Sequence, residues 1–166
     1  MSAKASQRSE RRVAAVVADQ PPIPWSFRVK TVLGLQSVLR VMRAAKAAFG
    51  DDVEAIIIFM AVTCASVDAA MRDRELRLNP PVGPMPLNFY RLVSRRAIAA
   101  STGFPRETVR RKIAALIERD LLVADGVRVR IRRGLLDDDP VNLRFAQTVV
   151  REFTRTGERL QRISPA

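Results

Sequence analysis

Arg106, Glu107, Arg110 and Arg111 lie close together in a segment whose apolar positions, Val109, Ile113, Leu116 and Ile117, recur at helical spacing. The polar set, with Ala114, therefore falls on the helix side opposite the apolar one. Its chemistry is hydrogen bonding to flat polar edges. An arginine can donate twice to guanine O6 and N7, and a glutamate can accept from cytosine N4. Further along, Arg128, Arg130 and Arg132 alternate with Val127, Val129 and Ile131. In a strand all three guanidinium groups would project from one face, and Arg133 follows them. Such a face suits phosphates or a minor groove. The plain alternative is a solvated strand.

The charge is distributed to match. The chain has 166 residues and a net charge of +12. Residues 94–133 carry eleven basic side chains against four acidic ones, and residues 1–30 carry six against two. Residues 31–93 carry seven against six, and residues 134–166 balance at five each. A basic block of this kind fits a polyanion, although a solubilising face would have the same composition. Twenty-five of the 29 basic residues are Arg. That bias suits guanine and phosphate recognition, and it also follows from a GC-rich genome.

There is no His and one Cys, Cys64. This excludes a disulfide within one chain, a zinc site built from His and Cys, and a His proton shuttle. Cys64 lies in the apolar run 55–67, which reads as a core helix with a buried, inert thiol. That run is too short for a bilayer, so no membrane partner is expected. The apolar stretch 13–18 is short for a signal peptide, which points to a reducing, cytoplasmic setting. Asp51, Asp52 and Glu54, like Asp137, Asp138 and Asp139, stand at apparent helix starts, where capping explains them. No phosphate loop, nucleophile–base pair or metal spacing is present, so neither an enzyme nor a cofactor is expected.

The positioning elements can be read in order. Residues 1–24 are polar, basic and end in a proline cluster, so they form a disordered arm. Residues 27–49 predict a helix with Val29, Val32, Leu33, Leu39, Met42 and Ala45 on one face. Gly50 breaks it, and Asp51 and Asp52 open a second helix reaching about Met71. Ile56, Ile57, Ile58, Phe59 and Met60 make that helix apolar all round, implying burial on several sides. Residues 79–86, with four prolines and a glycine, predict a loop, and 87–93 a short strand. Ser94 caps a helix over 95–102. Gly103 supplies the turn and Phe104 fills the angle before a second helix at 105–120. Strands at 121–123 and 127–131 flank Ala124-Asp125-Gly126, a hairpin signal. A last helix follows Pro140, with Leu143, Ala146, Val149, Val150, Phe153 and Leu160 on one side.

The run from Arg96 to Arg111, including Gly103-Phe104-Pro105-Arg106-Glu107-Thr108-Val109, resembles the winged helix-turn-helix of bacterial transcription regulators. Arg106-Glu107-Thr108-Val109 is most similar to the recognition helix of the cyclic-AMP receptor protein and Fnr family, and GntR-type regulators have a similar run. The resemblance covers about forty residues. It implies that Arg106, Glu107 and Arg111 read bases. Arg110 and Thr108 are then left for phosphates. The chain departs from that family in three ways. Pro105 stands where a capping serine is usual, Lys112 stands where an apolar residue is common, and the N-terminal half reads as helical rather than as a β-roll. No cyclic-nucleotide site is carried over, and one cysteine excludes an iron–sulfur cluster.

The sequence thus predicts a mainly α protein: a winged helix-turn-helix with a small β-hairpin wing, flanked by N- and C-terminal helices. Its segments are an arm (1–24), core or dimerisation helices (25–75), the helix-turn-helix and wing (76–133), and a C-terminal helix and tail (134–166). The expected partner is double-stranded DNA. Apolar surplus over 55–67 and 143–160 points to a homodimer, and no effector is indicated. The function expected is sequence-specific regulation of transcription. An architectural, replication or phage-type DNA-binding role and a protein-docking winged helix are the alternatives.

Overall fold

The structure, a computed structural model, describes residues 23–79 and 82–163. The arm expected over 1–24 therefore lies, up to residue 22, outside the described residues. The described chain is mainly helical, with one small three-stranded antiparallel sheet.

Helix α1 spans Trp25–Phe49 and stops at Gly50, whose φ of 88° is one glycine tolerates. Asp52 then caps α2, Val53–Arg72, by accepting a bond from the Ala55 amide at 3.0 Å. The short α3, Arg74–Leu78, and a 3-10 turn, Leu87–Phe89, lead to β1, Val93–Ser94. Ser94 caps α4, Arg95–Thr102, by accepting from the Ala97 amide. Helix α5 is Arg106–Glu118, followed by β2, Leu122–Asp125, and β3, Arg128–Ile131. A single turn, α6 (Leu135–Asp138), precedes α7, Pro140–Gln161.

The hairpin is tighter than the sequence predicts. Asp125 belongs to the ladder, paired with Arg128, and the loop is Gly126–Val127. Only Gly126 has positive φ there, the pattern of a type II′ rather than a type I′ turn. Strand β3 is central, in the order β1-β3-β2, with Val129 opposite Val93 and Ile131 opposite Leu122. Of the stretch 87–93, only its last residue is in a strand.

Helix α2 is the centre of the molecule. Ile56, Ile58, Phe59 and Val62 are buried, in one cluster with Ile98 of α4, Val109, Ile113 and Leu116 of α5, and Val129 and Ile131 of β3. It is the one described helix long and apolar enough to cross a membrane, by length and composition. This exceeds the thirteen-residue run from which no bilayer span is expected. Ser66, wholly buried on α2, continues the sheet where β1 ends. Its Oγ accepts from the Ile131 amide at 3.1 Å, and its carbonyl accepts from the Arg91 amide at 2.8 Å. Cys64 of the same helix is exposed rather than buried, because it faces away from the sheet and α5.

The outer helices differ most from expectation. Helix α1 buries Leu33, Ser37, Val41, Ala45 and Phe49, a strict four-residue series, while Val32 and Leu39 are exposed. Against it, α7 buries Asn142, Glu152 and Thr156, and leaves Leu143, Val150 and Phe153 exposed. The two helices meet along a polar seam. The Ser37 and Thr156 hydroxyls are bonded to each other, and Arg40 donates to Glu152. Paired polar groups satisfy one another on burial, so the seam turns the apolar side of α7 outward.

Ser66→Ala tests the join between helix and sheet. It leaves a buried Ile131 N–H unpaired, so stability should fall by about 1–3 kcal/mol. Urea unfolding measures this, and an unchanged midpoint would refute the role given to Ser66.

Candidate nucleic-acid interface

Helix α4 ends because Gly103 takes a left-handed φ of 72°, its amide bonding back to the Ala99 carbonyl. Phe104, half-buried, packs on the core beneath this turn. Ile98 and Ala99 face the same cluster, and the small Ala99 permits close approach of α5. Helix α5 then starts after Pro105, which offers no side-chain cap. The amides of its first turn are therefore left for another acceptor. At the far end, Asp120 sits at φ 55°. The Leu121 amide reaches the Leu116 carbonyl and the Asp120 amide reaches that of Ile117, a Schellman closure without glycine.

With Val109, Ile113 and Leu116 inward, the opposite ridge of α5 is Glu107, Arg111, Ala114 and Glu118, all exposed. Arg106 and Arg110, also exposed, flank it on one side, and Thr108 is half-buried in the first turn. The Arg110 guanidinium donates from Nε to Glu107 at 2.9 Å and holds that carboxyl below the ordinary range. Arg106 and Arg111 form no ion pair among the described residues. The five α5 residues picked from sequence thus share one end of the helix, and two of them are paired to each other.

The wing arginines divide. Arg128 is exposed and makes no ion pair among the described residues. Arg130 donates from Nη1 to the Ile131 carbonyl at 3.1 Å, and its guanidinium carbon lies 5.9 Å from the Tyr90 ring centre. Arg132 is turned inward. It forks onto Asp138 at 2.7 and 2.9 Å, and its Nε donates to the Asp120 carbonyl. Only 19% of its side chain is exposed. Alternation places these three on one side of the strand, but it cannot reveal that Asp120 and Asp138 wait beside the last of them. Of the three, Arg132 is held by ion pairs, Arg130 bonds the neighbouring carbonyl, and Arg128 is exposed.

Two further residues were not legible as parts of the site. Lys112 reaches from α5 to Asp52, at 2.6 Å, and Glu54, at 3.4 Å, which explains a charge where an apolar side chain was expected. Arg119 donates to the Phe49 carbonyl at 2.9 Å. Arg96, exposed on the first turn of α4, adds a cation to the same part of the chain. Among the described residues no group of three or more His, Cys, Asp or Glu could hold a metal ion.

No protein-family model, curated protein or solved structure matches this chain.

Two measurements test the scaffold of this surface. Nothing lies within 4 Å of a β-carbon built on Gly103, so Gly103→Ala meets only backbone strain. It should cost about 1–2 kcal/mol in thermal unfolding. Lys112 lowers Asp52, Arg132 lowers Asp138, and the Asn142 amide lowers Asp139, each from 3.8. Their folded-state values are depressed, so the unfolded chain binds more protons on acidification. Their contribution to stability is therefore present above the ordinary carboxylate range and is lost progressively as pH falls through their lowered values. Asp138→Asn should shrink that acid-side loss; an identical pH profile for the variant would remove Asp138 from the account.

Proposed function

We propose that this protein is a sequence-specific DNA-binding regulator of transcription with a winged helix-turn-helix. Helix α5 enters the major groove, and the β2–β3 hairpin lies on the backbone or minor groove. The observation that carries this reading is the outward ridge of α5. Arg111 and Glu107 stand on it with Ala114, which adds no bulk; Arg106 lies beside them, and neither arginine forms an ion pair among the described residues. These groups coincide with the basic block at 94–133. Protein-docking faces are depleted in charge at their centres, which weighs against the docking alternative.

The roles follow from the contacts. Arg106 and Arg111 are free to donate to guanine. Glu107, held ionised by Arg110, is an acceptor for cytosine N4, and Arg110 positions it. Thr108 and the uncapped first-turn amides meet a phosphate, where the helix dipole favours an anion. Arg128 at the hairpin supplies a second phosphate contact. Arg130 and Arg132 shape the hairpin through Tyr90, Asp120 and Asp138. Two copies acting together would set two α5 helices into successive major grooves.

Selection of bound sequences from a random DNA pool tests the reading, with a palindromic site as the expected result. A ratio near one between selected and random DNA would overturn sequence recognition. Against the selected site, Arg111→Ala should lose about 1–3 kcal/mol of discrimination at one base pair. Arg128→Ala should weaken all sequences alike and lower the salt slope by about one. Equal, sequence-independent losses for both variants would reject this division of labour.

A further inference from the structure

Helix α1 carries two apolar patterns, and the fold uses one. The buried series Leu33, Ser37, Val41, Ala45 and Phe49 faces the molecule. On the opposite side, Trp25, Val32 and Leu39 recur every seven residues, with Arg28 and Leu35 three positions after the first two, while Met42, three after Leu39, packs back on the core. Alternating steps of three and four are the spacing of a helix-to-helix seam, not of a solvated face. Yet Val32, Leu35 and Leu39 are 52%, 59% and 65% exposed, and Trp25 is 78% exposed.

We propose that this outer seam of α1 is where a second copy of the chain packs, α1 against α1. The proposal rests on the homodimer reading above and assigns it a surface. The positions flanking the seam are Val29, Gln36 and Arg43 on one side and Thr31 and Val38 on the other. With one charge among five they hold no electrostatic code for a foreign helix, and they offer little repulsion to an identical one. Arg28 and Lys46 bracket Val32, Leu35 and Leu39 and confine the overlap to the turns between them, with Trp25 one turn beyond.

Val38 and Met42 also line an apolar groove of about 360 Å³ with Phe59, Cys64 and Phe153, continuous with the seam. Phe153 and Val150 of α7, 53% and 66% exposed, add apolar surface to that of α1. The stretch 55–67, which the sequence offers as a pairing surface, puts Ile56, Ile58, Phe59 and Val62 in the core of the single chain, and Phe59, Met60, Thr63 and Cys64 line this groove.

Light scattering and sedimentation of the full chain test the proposal, in low and high salt. The expected mass is twice the 18.5 kDa of one chain, and the dimer should tighten with salt as repulsion between the bracketing cations is screened. DNA affinity should move the opposite way. Leu35→Glu with Leu39→Glu should weaken the dimer roughly a hundredfold or more, by burying carboxylates in an apolar seam. Circular dichroism should stay unchanged, because both side chains are mostly solvated in the single chain. A wild-type monomer in both salts would overturn the dimer and the seam together. A dimer untouched by the double substitution would overturn the seam alone and leave the dimer to another face, such as that of Leu143 and Val150. Titration with a duplex oligonucleotide reads the DNA-binding proposal separately, since the monomeric variant keeps α5 intact.

Discussion

The burial of α2 is the constraint on which everything else depends. A helix this apolar has to be covered over most of its surface, and α4, α5 and the small sheet each cover part of it, leaving the side of Cys64 open. One face cannot be covered by side chains alone, because a sheet edge presents amides that need acceptors. Ser66 meets this need from within the helix and so joins helix and sheet at a fixed depth. The orientation of α5 follows from that packing. Val109, Ile113 and Leu116 must face α2, and Glu107 and Arg111 are thereby turned outward.

Where an element depended on its neighbours in the chain, it was legible. Ser94, Gly103, Asp52 and Asp139 act within a few residues of themselves, and four ends of three helices fall where these residues predict. The cluster around Ile56 and Phe59 was legible for the same reason, since no arrangement leaves such a run in water. The apolar sides of α1 and α7 were harder to assign. Each has more apolar positions than one face can hold, and the polar pairs Ser37–Thr156 and Arg40–Glu152, far apart in sequence, decide which face turns in. Periodicity treats a serine or glutamate as outward-facing and cannot see that its partner lies more than a hundred residues away.

The same limit applies at the candidate site. Composition marks eleven cations in forty residues but does not say which are spent inside the molecule. Lys112, Arg119 and Arg132 all hold acceptors of the fold, and Arg110 holds Glu107. The outward potential of the block is thus carried by fewer side chains than the count implies. Those few sit at the start of α5 and at the hairpin.

Lys112 and Arg119 also have a mechanical consequence. One ties the middle of α5 to Asp52 and Glu54, at the start of α2, and the other ties its end to the last carbonyl of α1. The two anchors lie on either side of Gly50, the bend between those two helices. Helix α5 is therefore braced across a corner, and a change in the angle of that corner is transmitted along it as through a strut. In the dimer proposed above, the span between two such struts would be set by how rigidly the corner holds, not by the side chains on the outward ridge.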